Sequence, residues 1–309
     1  MHEMTAPWRT PLTGTEHDLI AFGIVVAGFA LLAMLVRTWV TRGEVSGRYR
    51  PAIAASLGLT TVAALSYVLI YFQFDGAYSW NGSVWVPGIR AASAWSTRYL
   101  DWAVSVPLLV VELIAVSNLQ GAAMKRTRSI AVVAAFLMIA TGYLGGVAIG
   151  GGEDRTALLV WGVVSSAFFV VVYVLVLRTV LASLPALPSA ARPPYRAAML
   201  VLMITWFVYP VVYGLQGMTS GGGWAVTGQL LLCAADVVAK VGFGVLLHRV
   251  AKLRTAFDVQ TGIDTHPETI WIDRMRQSDA LLPASSDREA LRAEVEAAEL
   301  RRAEERSGG

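Results

Sequence analysis

Seven apolar stretches alternate with short polar connections from the N-terminus to Ala251. They run Asp18–Thr41, Pro51–Phe74, Ala91–Leu119, Ser129–Ile149, Ala157–Leu184, Tyr195–Leu215 and Trp224–Ala251. A helix needs roughly 20 apolar residues to cross the hydrocarbon core of a bilayer, and each stretch is that long. The pattern predicts an all-α membrane protein of seven transmembrane helices. No repeat of fixed period runs through it.

The connections alternate in charge. Arg42, Arg48 and Arg50 follow the first stretch, and Lys125, Arg126 and Arg128 the third. Arg192 and Arg196 follow the fifth, and Arg249, Lys252 and Arg254 the seventh. The connections 75–90, 150–156 and 216–223 are poor in basic residues. Basic loops stay on the cytoplasmic side, which predicts an outer N-terminus and a cytoplasmic C-terminus. Trp80, Trp85, Trp95 and Trp224 then fall near the outer ends, as an interfacial aromatic belt does. Three regions follow: an extracellular segment 1–15, a seven-helix domain 16–252, and a cytoplasmic tail 253–309. In the tail, Leu291, Val295 and Ala298 recur at helical spacing behind Ser286, Asp287 and Glu289. It reads as a solvated helix or a disordered tail, with a partner-binding helix as the alternative.

Composition agrees. The chain of 309 residues is 55% hydrophobic and 15% charged, with mean hydropathy +0.56, whereas soluble domains carry about a quarter charged residues. The net charge of +3 comes from the arginine-rich loops. It suits anionic lipid, and no basic groove suggests nucleic acid. Cys233 is the single cysteine, so no internal disulfide can form. No basic region precedes the first apolar stretch, so no cleaved signal peptide is expected. No metal site is expected either. The setting is a lipid bilayer, a prokaryotic plasma membrane by expectation, with a homo-oligomer expected from the small residues on the helices.

Five ionisable residues interrupt this apolar background: Arg98, Asp101 and Glu112 in the third stretch, Asp236 and Lys240 in the seventh. A charge at bilayer depth costs about 2.5–3.5 kcal/mol on insertion scales, so such residues are candidates for function. Asp236 and Lys240 are four apart and share a helix face. Arg98, Asp101 and Ser105 share another. Glu112 lies eleven residues beyond Asp101, about 16 Å further along the axis. Two cations and two carboxylates can form a neutral cluster, as burial demands. A buried amine also suits imine chemistry with an aldehyde. Ion pairs that merely lock two helices together are the competing reading. Trp102, Trp161, Trp206, Tyr209 and Tyr213 could enclose a flat polyene, although aromatics at helical spacing also serve as ordinary core. Pro210 removes a backbone hydrogen bond in the sixth stretch and predicts a kink.

These residues carry a resemblance. Arg98-Tyr99-Leu100-Asp101-Trp102 with Pro107-Leu108-Leu109, Trp206-Phe207-Val208-Tyr209-Pro210, and Asp236 to Gly244 around Lys240 resemble signatures of the microbial (type 1) rhodopsins. The match covers about residues 15–252, and Met138, Thr141, Gly142 and Trp161 fit further pocket positions. The resemblance implies all-trans retinal bound to Lys240 as a protonated Schiff base. It implies Asp101 as counterion and proton acceptor, Asp236 as second counterion, Arg98 as the link outward and Glu112 as cytoplasmic proton donor. Trp102, Trp206, Tyr209 and Tyr213 would clamp the polyene.

The triplet Asp101, Ser105, Glu112 stands nearest the Asp, Thr, Glu of proteorhodopsin-like proton pumps, so light-driven outward proton transport is expected. A sensory rhodopsin signalling through its tail is the alternative. Leu109 implies green absorption. No histidine lies in the second stretch, where Ser66 or a neighbour stands instead, and Gly228 replaces one of the outer acids of bacteriorhodopsin. Trp161 stands where antenna-bearing rhodopsins have glycine, so no carotenoid antenna is expected.

Overall fold

The computed structural model describes residues 4–264, 266, 270–272 and 275–278. Nine α-helices dominate the described residues: α1 (Gly14–Val40), α2 (Arg50–Asp75), α3 (Ser93–Ala115), α4 (Gly121–Tyr143), α5 (Arg155–Ser183), α6 (Arg192–Trp206), α7 (Val208–Gln216), α8 (Gly222–Val237) and α9 (Phe243–Gln260). They make seven rods. The sixth is α6 followed by α7, and the seventh is α8 and α9 joined through a π-helical turn, Val238–Gly242. Successive rods pack side by side, and α1 closes the ring against α8. Six of the rods are long and apolar enough to cross a membrane. The third misses that measure because Arg98, Asp101 and Glu112 interrupt it. The chain is a multi-pass membrane protein in a lipid environment.

Local chemistry sets the ends. Thr13 and Glu16 form a reciprocal cap on α1: Glu16 N donates to Thr13 Oγ1 (3.3 Å) and Thr13 N to Glu16 Oε2 (2.8 Å). Asp154 Oδ1 caps α5 by accepting from the amides of Thr156 (2.8 Å) and Ala157 (3.0 Å). The sixth rod breaks at Phe207, three residues before Pro210. Proline offers no N–H to the carbonyl four residues back, at Trp206, and its ring pushes that carbonyl aside. The kink expected at Pro210 therefore surfaces one turn earlier.

The outer surface is apolar. Phe22, Phe29, Leu65, Phe72, Leu159 and Val163 are exposed, and only 11% of the most apolar stretch of the fifth rod is buried. The polar side chains lie inside. This inversion is what a lipid solvent selects.

Two small hairpins add to the helices. β1 (Tyr78–Trp80) pairs antiparallel with β2 (Trp85–Pro87), joined around Asn81 and a left-handed Gly82 (φ 102°). Leu12 bridges to Trp85, and Trp8 packs on Trp95 at 5.2 Å between ring centroids. The segment before α1 is thus seated on this face. A second hairpin, β3 (Ile270–Ile272) with β4 (Met275–Ser278), follows α9.

The seventh rod outlasts its apolar stretch, continuing past Ala251 to Gln260. Its polar residues are fixed to the bundle. Arg254 donates to the carbonyls of Val116 and Ser117, each at 2.7 Å, and Tyr49 donates to Asp258 Oδ2 at 2.6 Å. The expected boundary at 252/253 therefore falls inside a helix. The helical pattern at 286–298 lies outside the described residues.

Candidate functional site

α3 and the seventh rod run parallel, so their polar residues meet at three levels. Arg98 faces Gln229 at the first and Asp101 faces Lys240 at the second. At the third, Glu112 faces Gly244. The π-helical turn around Lys240 widens the helix where the amine leaves it.

Lys240 is 1% exposed. Its Nζ donates to Asp101 Oδ2 at 2.6 Å and to Asp236 Oδ1 at 2.8 Å. The two carboxylates are not equivalent. Asp236 also accepts from Tyr67 (2.7 Å), Trp102 Nε1 (3.1 Å) and Tyr209 (3.0 Å), and Arg98 stands 3.6 Å away. Asp101 has Lys240 as its hydrogen-bond donor, while its Oδ1 and the hydroxyl of Ser105 are buried without partners. The cluster carries two cations and two anions, each at most 1% exposed, so its charges cancel where the membrane would otherwise penalise them.

Arg98 does not reach Asp101 directly. It donates to the Tyr67 hydroxyl (3.1 Å), Gln229 Oε1 (2.7 Å) and Cys233 Sγ (3.3 Å). Tyr67, Gln229 and Cys233 were not among the residues singled out from sequence, yet they hold this guanidinium in place. Glu112 sits apart, 2% exposed, with Oε2 buried and unpartnered.

Beside this cluster lies a cavity of about 100 Å³, partly open to the surroundings. Its lining includes Trp102, Met138, Gly142, Trp206, Tyr209, Pro210 and Tyr213. Trp102 and Tyr209 close the end toward Lys240, since both donate to Asp236. The flat, mostly apolar walls and the amine behind them fit a polyene aldehyde. Leu109 and Thr141 are outside the lining: Leu109 is in the α3 core, and Thr141 gives its hydroxyl to the Leu137 carbonyl at 2.7 Å.

One expectation needs correction. Trp161 is not part of the lining; its neighbour Gly162 is, together with Ser165 and Phe169. Trp161 instead packs toward Gly145 of the adjoining π-helical turn, Leu144–Ala148, where an added methyl would stand 2.7 Å from the Trp161 Cβ. Adjacent helical residues point about 100° apart, so only one of the pair can face inward. A methyl on Gly162 would stand 2.8 Å from the Tyr213 ring. A second recess, of about 210 Å³, lies between α5 and α7. It shares Gly162, Ser166, Pro210 and Tyr213 with the first. The indole thus does not wall off this side.

Residues 17–253 match the family described as bacteriorhodopsin-like protein. The chain belongs to that family. It is 28% identical over 244 residues to bacteriorhodopsin-I of Haloarcula marismortui, covering 77% of this chain and 91% of that one. It is 27% identical to the green-light absorbing proteorhodopsin of Gamma-proteobacterium EBAC31A08, covering 78% and 88%. Sensory rhodopsin III of Haloarcula marismortui is 28% identical, covering 75% and 92%. Among solved structures, xanthorhodopsin, titled a light-driven ion pump with dual chromophore, superposes with a TM-score of 0.71 at 26% identity, covering 81% of this chain and 98% of that one. A protein described as an ion pump and one named a sensory rhodopsin thus both resemble this microbial rhodopsin.

Proposed function

We propose that this rhodopsin is a light-driven outward proton pump carrying all-trans retinal on Lys240, with its N-terminus outside and its C-terminus in the cytoplasm. The observation that carries the reading is the placement of Lys240 Nζ, 2.6 Å from Asp101 Oδ2, with a second buried acid, Glu112, further along the same helix. Lys240, Trp102, Trp206, Tyr209 and Met138 would hold the group. When bound, retinal supplies a protonated linkage at Lys240 Nζ whose geometry light can change.

The chain's own residues supply the rest. Asp236 has three neutral donors besides Lys240, so it keeps its negative charge when the proton leaves Nζ. Asp101 has no such support and is the acceptor. Transfer from Nζ to Asp101 Oδ2 removes a positive and a negative charge together. Arg98 then faces one anion, Asp236, and Gln229 and Cys233 lie on its far side toward the N-terminal face. The proton on Asp101 leaves by that route. Glu112, buried beside the Ser56 hydroxyl, is the acid that returns a proton to Nζ. The break at Phe207 gives α6 a hinge by which it swings and admits water to Glu112.

A sensor would use the same pocket without needing Glu112, and so pumping is the reading favoured. With Gly162 rather than Trp161 in the lining, a second chromophore has a place beside the first. Gly162 joins the cavity to the recess between α5 and α7, where a flat ring could lie against Tyr213. The function is tested by reconstitution with retinal into liposomes. Light-driven proton movement that disappears in Asp101→Asn supports it, and movement that persists in that variant refutes it.

A further inference from the structure

Beyond Glu112, toward the C-terminal face, lies a set of polar groups that the steps above do not use. Glu44 ends the short 3-10 turn after α1, with its side chain about one-third exposed (34%). Its Oε2 lies 3.2 Å from His248 Nε2 and accepts from Lys252 Nζ at 2.9 Å. His248 itself is buried, 3% exposed at the side chain, and its other nitrogen, Nδ1, is buried without a hydrogen-bond partner. Thr38 Oγ1 and one nitrogen of Arg37, both on α1, are likewise buried and unpartnered. The charged groups bearing on His248 are Glu44, Lys252 and Arg37.

Gly244 links this set to the donor. A methyl placed on it would stand 3.9 Å from Glu112 Oε1 and 3.7 Å from Ser56 Oγ. His248 is four residues further on the same face, a rise of about 6 Å. The contact closest to Gly244 is the flexible end of Met34, whose Cε would lie 2.7 Å from that methyl. A buried acid, a buried imidazole and a one-third-exposed carboxylate therefore succeed one another toward the surface, with the Met34 thioether beside the first gap.

We propose that Glu44 and His248 form the relay that recharges Glu112 from the medium, and that Met34 plugs it between turnovers. The proposal rests on the pump reading above. With His248 neutral and its one proton on Nδ1, a proton from solution binds the Glu44 carboxylate and passes to the free Nε2. The proton on Nδ1 then crosses, once Met34 has moved and water has entered, to the Glu112 carboxylate. Exchange of the ring tautomer restores the start, and the net change is one proton moved. Imidazole suits the step because one nitrogen accepts while the other donates near neutral pH. A group that only locked α1 to α9 would not need a second ring nitrogen buried without a partner.

The test uses the full-length protein with retinal, a flash and a pH-indicator dye. Two rates are read: recovery of visible absorption, when Nζ regains its proton from Glu112, and uptake of a proton from the medium. In His248→Gln, recovery should stay within about twofold, uptake should slow about tenfold or more, and added imidazole should restore it. Glu44→Gln, at a more exposed position, should slow uptake alone and carries the test if His248→Gln does not fold. Met34→Ala should speed uptake. Wild-type uptake rates in both His248→Gln and Glu44→Gln, or slowing that imidazole does not relieve, overturn the relay while leaving the pump intact. A wild-type protein with no uptake transient overturns both.

Discussion

Lys240 Nζ lies 2.6 Å from Asp101 Oδ2 and 2.8 Å from Asp236 Oδ1, yet Asp236 also accepts from Tyr67, Trp102 and Tyr209, whereas Asp101 has the single hydroxyl of Ser105 beside it. The two acids share a cation and divide two tasks: one keeps its charge and the other receives a proton. In Asp101→Asn the positive charge at Nζ loses its nearer anion. The visible band should shift to the red and transport should fall to background, as read by absorption spectroscopy and light-induced pH change. An unshifted band would give the counterion role to Asp236 alone.

Glu112→Gln keeps the shape and removes the proton. Recovery of the dark-state absorption after a flash should slow by about a hundredfold, and azide, a small diffusible acid, should restore the rate. Unchanged recovery would take the donor role from Glu112.

Tyr67 joins the two halves of the cluster, donating to Asp236 at 2.7 Å and accepting from Arg98 at 3.1 Å. Tyr67→Phe leaves two buried charges each short of a partner. The expected loss is about 1–3 kcal/mol of stability, measured as a lower bleaching temperature of the retinal-loaded protein. A midpoint equal to wild type would show that Asp236 and Arg98 find other partners.

Gly162 is the position at which a side chain would separate the retinal cavity from the recess between α5 and α7. If the recess takes a carotenoid ring, adding a hydroxylated carotenoid should give new excitation bands that drive the retinal response. Gly162→Trp should abolish them while leaving the retinal band. Identical excitation spectra with and without carotenoid in the wild type would leave the recess without that role.

The helices and the central ions were legible because both signals are coarse. Twenty apolar residues mark a span, and a buried lysine is costly enough to stand out. The partners of Arg98 were visible too, though unread. Gln229, Cys233, Asp236 and Lys240 recur at intervals of four, three and four along one face. Trp161 was misplaced because a one-residue change of register rotates a helix by about 100°, and the large apolar residues of α5 do not fix that register. The β1–β2 hairpin carries an Asn-Gly turn at Asn81 and Gly82 that the tryptophans around it overshadowed. The extension of α9 to Gln260 depends on Arg254 and Asp258 meeting Val116 and Tyr49, contacts made across more than a hundred residues of chain.

The most direct measurement is the pH of an unbuffered suspension of cells that make the protein and are given retinal. Outward pumping through Asp101 requires the external pH to fall in the light and recover in the dark, with the fall abolished by a protonophore. No change, or a rise that a protonophore enhances, would contradict it.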